Sequence, residues 1–231
     1  MLNTDLHRTI LIKILKAVYT NKDLRNILGF KGGTAAFLFY DLPRFSVDLD
    51  FDLLDSSKEN LVYEKLAIIL PKFGNIEPAM KKNTIFFLVD YGKGERKIKV
   101  EISRRPSPAK FEVKSYLGLS VLVMEKSCML SSKLAALLAR KRFASRDLFD
   151  LWFFLDKGWS FDKQCVKSAL EYSLEKALKE ALNKVEQVKN NQLLHGLGEL
   201  INNSQKDWVK RNLKEELIFL LKLKLDSLSK I

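Results

Sequence analysis

The run Val47-Asp48-Leu49-Asp50-Phe51-Asp52-Leu53 constrains the fold more than any other segment, because it alternates strictly between apolar and acidic residues. A period of two predicts a half-buried β-strand, with the apolar side chains on one face and the aspartates on the other. Neighbouring aspartates on that face lie about 6.6 Å apart, at a rise of about 3.3 Å per residue. Carboxylates at this spacing repel each other unless a cation such as Mg²⁺ lies between them. The run predicts either a solvated acidic face on an edge strand or a metal site.

A glycine-rich turn, Gly32-Gly33-Thr34, precedes this strand and leads into a short apolar helical stretch. Glycines let backbone N–H groups approach an anion, and the positive end of the following helix favours phosphate. Alone, such a turn is commonplace. Coupled to the acidic strand, it predicts a phosphate cradle facing a metal site.

The net charge of +12 favours an anionic partner, and 47% apolar residues are enough for a folded core. No window reaches the eighteen uninterrupted apolar residues of a membrane span, and the amino terminus lacks the order of a signal peptide. We therefore expect a cytoplasmic protein with no membrane partner.

Metal sites of the Cys/His type are disfavoured, because the chain has two histidines and two cysteines. We expect Cys128 and Cys165 to be reduced thiols, and the isolated His7 and His195 to lie at the surface. Any metal would then be held by carboxylates.

The residue pattern changes near residue 125, from short runs typical of β-strands to long Leu/Lys/Glu-rich segments with helical spacing. Before it we predict a helix over 5–27 and a hairpin of strands 83–91 and 96–105. After it the predicted helices are 125–142, 146–156, 161–190, 192–203 and 206–229. The fold class is α+β: a mixed β-sheet domain flanked by helices over 1–124, followed by a helical bundle domain over 125–231.

Two blocks of this sequence carry a family resemblance. Phe30-Lys31-Gly32-Gly33-Thr34-Ala35-Ala36 with Arg44-Phe45-Ser46-Val47-Asp48-Leu49-Asp50-Phe51 is the first, and Lys133 to Arg140 with Ser145-Arg146-Asp147-Leu148-Phe149-Asp150 is the second. Together they resemble the AbiEii/AbiGii toxin branch of the DNA polymerase β-like nucleotidyltransferase superfamily, which includes MenT-type toxins. The likeness spans roughly residues 27 to 155.

The resemblance implies a Mg²⁺-dependent nucleotidyltransferase that moves an NMP from an NTP to RNA, at the 3′ end of tRNA, and releases pyrophosphate. Such an enzyme is a toxin of a toxin–antitoxin or abortive-infection system, and a cognate antitoxin is a possible partner. Residues 1–124 would be the catalytic domain, and the helical domain 125–231 would close the active-site cleft.

The same resemblance implies a role for each matched residue. Two Mg²⁺ ions would be held by Asp48, Asp50 and a third carboxylate, for which the best match is Glu101. The implied nucleotide-binding residues are Gly32, Gly33, Thr34, Arg44, Ser46, Lys133, Arg146, Asp147 and Asp150. Among them Lys133 would balance the phosphate charge, and Arg146, Asp147 and Asp150 would orient Lys133 or the acceptor. The implied RNA-binding rim is Arg104, Arg105, Lys110, Arg140, Lys141 and Arg142.

Simpler interpretations stand beside these roles. Glu101 can pair with Lys99 or Arg104 on an exposed hairpin, Lys133 can be a surface residue, and Asp147 can cap a helix. For the whole chain, the alternative is a catalytically silent RNA- or protein-binding module that keeps the nucleotidyltransferase fold.

Overall fold

The computed structural model describes residues 3–140 and 143–228. Lys141 and Arg142 of the predicted basic rim lie outside the described residues. The chain divides into two compact units: the first comprises the chain up to Pro106 together with Phe111–Met124, and the second comprises Ser107–Lys110 together with the chain from Glu125 onward.

The first unit is a seven-stranded mixed sheet with three α-helices. Its helices are α1 (Thr4–Thr20), α2 (Gly32–Phe39) and α3 (Glu59–Ile69), and its strands are β1 (Leu28–Lys31), β2 (Leu49–Leu53), β3 (Asn75–Lys81), β4 (Thr84–Asp90), β5 (Ile98–Ser103), β6 (Phe111–Tyr116) and β7 (Leu119–Met124). The strand order is β3-β4-β5-β2-β1-β7-β6. The β2/β5 and β1/β7 pairs are parallel, and the other neighbours are antiparallel.

The core of this unit follows the predicted period in β2, whereas the helix predicted over 5–27 ends at Thr20. Leu49 and Phe51 of β2 are fully buried, as the alternation from residue 47 predicts. The predicted hairpin is formed by β4 and β5, which pair antiparallel. Helix α1 begins after Asn3, whose side chain accepts a hydrogen bond from the N–H of Leu6 at 3.1 Å.

The second unit is helical. Its α-helices are α4 (Lys126–Ala139), α5 (Ser145–Asp156), α6 (Lys163–Leu170), α7 (Leu174–Glu186), α8 (Asn203–Trp208) and α9 (Lys214–Leu228). A turn of π-helix, Val209–Leu213, joins α8 to α9. Helix α4 packs against α5, α6 and α7, and α7 packs against α9. The predicted fold class, a mixed sheet flanked by helices and followed by a helical region, is confirmed.

Two predicted helices of this unit were wrong. The single helix over 161–190 is divided, because Glu171 takes a left-handed conformation (φ 65°) and Ser173 caps a new helix. The predicted helix over 192–203 is a series of turns. Between α6 and α7 the helical spacing of apolar residues continues across a break that the two caps create. Within the described residues, no helix is long and apolar enough to cross a membrane.

Candidate active site

Three of the predicted carboxylates lie along two neighbouring parallel strands. Asp50 of β2 is in direct register with Glu101 of β5, so both side chains lie on the same face of the sheet. Asp48 immediately precedes β2, and its Oδ1 lies 3.4 Å from the N–H of Lys99 in β5. All three carboxylates are half-buried. The structure therefore brings Asp48, Asp50 and Glu101 to one strip of the sheet.

Neither of the ordinary partners considered for Glu101 neutralises it. Arg104 pairs instead with Glu59 at 2.7 Å. Among the described residues, neither Glu101 nor Asp48 has an ion-pair partner. Adjacent, half-buried carboxylates without a protein cation are unfavourable unless a bound cation neutralises them.

The third aspartate of the acidic strand has a different environment. Asp52 is buried, and its Oδ1 forms an ion pair with Nζ of Lys31 at 2.5 Å. Lys31 ends β1, a strand that sequence periodicity did not predict. Sequence analysis did not assign Lys31 the role of pairing with Asp52. The acidic strand indicated that a cation was needed nearby, but it did not indicate which lysine would supply it. This pair ties β1 to β2 directly before the glycine turn.

The glycine turn packs against Asp50. Gly32 has a φ of +80°, and a Cβ added there would overlap Oδ2 of Asp50. Helix α2 begins at this residue, and Lys31, its N-cap, makes no side-chain capping hydrogen bond. The N-terminus of α2, with its partial positive charge, therefore lies beside the Asp50 carboxylate.

The other predicted residues of this segment are buried supports of the turn. A Cβ added to Gly33 would lie 2.7 Å from Oγ of Ser46 and 2.9 Å from Nη2 of Arg44. Both side chains are buried, and Nη1 of Arg44 donates to the carbonyl of Phe45 at 2.9 Å. The Thr34 hydroxyl is buried and donates a hydrogen bond to the carbonyl of Asp48. These side chains fix the turn relative to the acidic strand.

His7 also supports the strand, so its predicted surface position was wrong. It is fully buried, and Nε2 donates to the carbonyl of Val47 at 2.9 Å. Its Nδ1 lies 2.6 Å from the hydroxyl of Tyr91, which donates to it. Burial lowers the pKa of His7, so the ring is neutral near pH 7. His7 thereby links α1 to the residue that precedes Asp48.

We predict that Gly32→Ala lowers the rate of the reaction at this site about 10²-fold, the cost expected when a reacting group is misplaced by about 1 Å. The added Cβ would displace the Asp50 carboxylate and strain the backbone at φ +80°. Gly94→Ala is the matched control, since Gly94 has φ +81° with nothing within 4 Å of the added Cβ. Initial rates of both variants test this, and equal rates in the two would contradict it.

A second polar cluster lies within the helical unit, around Lys133 of α4. Its Nζ lies 2.6 Å from Oδ2 of Asp150 and 3.6 Å from Oδ1 of Asp147. Nε of Arg140 lies 2.8 Å from Oδ2 of Asp147. Both carboxylates are buried, and the Lys133 side chain is only 12% exposed.

The simpler interpretation of Lys133 was wrong, because it is an ion-paired, largely buried residue and not a surface lysine. Asp147 lies in the first turn of α5, where the helix dipole favours a carboxylate, although the N-cap residue itself is Ala144. Arg146, the remaining residue of the predicted set, is half-buried at the start of α5.

The carboxylate strip fits a hard cation. Asp48, Asp50 and Glu101 offer oxygen ligands, which Mg²⁺ prefers, and two of them lack a protein cation among the described residues. Within residues 3–140 and 143–228, these three do not gather their ligand atoms within 4.8 Å of one another. An open arrangement suits Mg²⁺, which usually keeps several waters and binds through one or two carboxylates plus substrate phosphates.

The comparisons with known proteins identify a family and a shared fold. Residues 13–216 match the family described as "Nucleotidyl transferase AbiEii toxin, Type IV TA system". The chain resembles the crystal structure of a putative nucleotidyltransferase from H. pylori, with a TM-score of 0.65 and 21% identity, covering 98% of this chain and 96% of that one. It also resembles JHP933 from Helicobacter pylori, with a TM-score of 0.64 and 21% identity, covering 100% and 96%. No curated protein matches significantly. At these identities the structures show a shared fold.

Proposed function

Because the chain belongs to the AbiEii nucleotidyltransferase toxin family, we propose that it transfers an NMP from an NTP to the 3′ end of tRNA in a Mg²⁺-dependent reaction. The family establishes a nucleotidyltransferase that uses an NTP, and a toxin of a type IV system with a cognate antitoxin. The metal, the acceptor and the residue roles are our proposal.

One observation carries it: the register of Asp50 with Glu101, beside a glycine turn that opens a helix. Carboxylates for a metal and backbone donors for phosphate thus lie on adjacent elements of the first unit. A metal–triphosphate needs both kinds of group.

In the proposed reaction a ribose hydroxyl of the acceptor attacks the α-phosphorus of the NTP. A new phosphate ester bond forms as the bond between the α-phosphorus and the bridging oxygen to the β-phosphate breaks, and pyrophosphate leaves with that oxygen. Asp48, Asp50 and Glu101 would hold two Mg²⁺ ions. When bound, Mg²⁺ supplies positive charge that offsets the charge of the triphosphate.

The chain's own groups position the reactants. The N–H groups of Gly32, Gly33 and Thr34 bind triphosphate oxygens, and Glu101 accepts the proton of the attacking hydroxyl. Arg44 and Ser46 keep the turn in place. Within the helical unit, Asp147 and Asp150 hold the side chain of Lys133 through ion pairs.

An RNA acceptor is supported by charge. The chain carries +12, and Arg105, in the predicted rim, is exposed two residues after the end of β5. Nucleic-acid binding through such residues depends strongly on salt. We propose that this charge holds the tRNA while its terminal hydroxyl reaches the carboxylates.

The test is to incubate the purified chain with each α-labelled NTP, Mg²⁺ and total tRNA. We expect label on tRNA with at least one nucleotide, and none on tRNA whose 3′ terminus has been oxidised with periodate. Asp48→Asn should remove the labelling, whereas Asp5→Asn, an exposed carboxylate in α1, should retain it. Label on periodate-treated tRNA would overturn the acceptor, and equal labelling by Asp48→Asn would overturn the metal site.

A further inference from the structure

A second group of metal-ligating side chains lies in the helical unit and takes no part in the proposed reaction. The Sγ atoms of Cys128 and Cys165 and a carboxylate oxygen of Asp162 all lie within 4.8 Å of one another. Cys128 is on α4, and Asp162 and Cys165 are at the start of α6. Both cysteines are buried free thiols.

Local hydrogen bonds hold these three ligands in place. Asp162 is the N-cap of α6 and accepts from the N–H groups of Gln164 and Cys165 at 2.8 and 3.0 Å. Oγ of Ser131 in α4 accepts from the N–H of Asp162 at 3.0 Å. The Asp162 backbone is therefore fixed to the helix that carries Cys128. A metal would meet ligands that are already ordered.

The groups surrounding the cluster favour negative charge on sulfur and oxygen. The N–H of Lys110 lies 3.5 Å from Sγ of Cys128, and its ammonium lies 3.4 Å from Oδ2 of Asp162. Cys165 lies in the first turn of α6, where the helix dipole favours an anion. Two thiolates, one carboxylate, a divalent cation and the Lys110 ammonium sum to zero charge.

Both thiols are buried, so water does not solvate their sulfur atoms. A metal that displaces both thiol protons neutralises the sulfurs where they lie. Thiolates are soft ligands that select Zn²⁺ over Mg²⁺.

We propose that Cys128, Cys165 and Asp162 form a site for a soft divalent cation of the zinc type, with water as the fourth ligand. The cation links α4 to the start of α6 and releases the two thiol protons on binding. Zinc accepts sulfur and carboxylate ligands in such tetrahedral sites. The sequence did not indicate this site, because its cysteines lie far apart in the chain and its third ligand is an aspartate. The proposal is independent of the nucleotidyl transfer reaction.

The test is titration of the reduced, metal-free full chain with Co²⁺ alone. We expect thiolate-to-cobalt charge-transfer absorption that saturates at one ion per chain and disappears when Zn²⁺ is added. Cys165→Ser should weaken Co²⁺ binding more than about 100-fold, since loss of an outer-shell partner alone costs about 10- to 100-fold. Absence of the charge-transfer band in the wild-type chain would overturn the site.

Two further variants separate binding from folding. Asp162→Asn keeps a good N-cap residue but removes the anionic ligand, so the helix should persist while Co²⁺ affinity falls at least about tenfold. Asp48→Asn, in the other unit, should leave the band unchanged. A band unaffected by both Cys165→Ser and Asp162→Asn, or one lost in Asp48→Asn, would place the cobalt elsewhere and overturn the proposal.

Discussion

Replacing Asp50 with asparagine is expected to lower the rate of nucleotidyl transfer at least about 10³-fold, because about 4 kcal/mol of charge stabilisation by the metal is lost. Asp50 lies in register with Glu101, a proposed metal ligand, and beside Gly32, in the proposed phosphate-binding turn. Asparagine has nearly the same shape but no negative charge. The loss should therefore be chemical and not structural.

Single-turnover label transfer at saturating NTP measures this effect. Thermal unfolding of the same samples should show that Asp50→Asn is folded. Asp5→Asn removes one carboxylate from an exposed position of the same unit and should transfer label at the wild-type rate. An Asp50→Asn enzyme within tenfold of wild type would show that this carboxylate does not hold the metal.

Replacing Lys133 with methionine is expected to reduce the free energy of unfolding by about 3 kcal/mol, since breaking a buried ion pair leaves an uncompensated charge. Two buried carboxylates depend on this ammonium, with Asp150 at 2.6 Å and Asp147 at 3.6 Å. Arg140 also pairs with Asp147, at 2.8 Å. Urea unfolding followed by circular dichroism measures the change.

A matched pair of controls isolates the buried charge. Lys176→Met removes an exposed lysine that pairs with Glu180 at 3.9 Å, and it should change stability little. The double variant Lys133→Met/Asp150→Asn also removes the buried negative charge that lay 2.6 Å from the lysine, and it should be more stable than Lys133→Met alone. If the double variant were the less stable of the two, the carboxylates would not be the source of the loss.

The acidic strand shows how much of the site could be predicted from the sequence. The alternation from Val47 to Leu53 predicted the strand that forms at Leu49–Leu53, the burial of Leu49 and Phe51, and the position of Asp50 on the other face. The distinction between Asp50 and Asp52 was not predictable from that pattern. Asp52 is neutralised by Lys31, and this depends on β1 lying antiparallel beside β2.

Some strands were missed for a related reason. In β3, most residues are exposed and Pro78 interrupts the run, so this edge strand has no apolar alternation to detect. Strand β1 has only four residues, too few for a period to be recognised. Their positions are set by their partners in the sheet.

Local pattern along the chain determined the α+β fold class, the acidic strand, the glycine turn and the motifs that identify the family, because each is encoded within a few consecutive residues. The tertiary structure alone decided that Glu101 lies opposite Asp50, that His7 is buried beneath Val47, and that Cys128 lies near Cys165. Each of these contacts joins residues far apart in sequence. They follow from strand order and helix packing, which bring distant segments together only when the whole core of each unit forms.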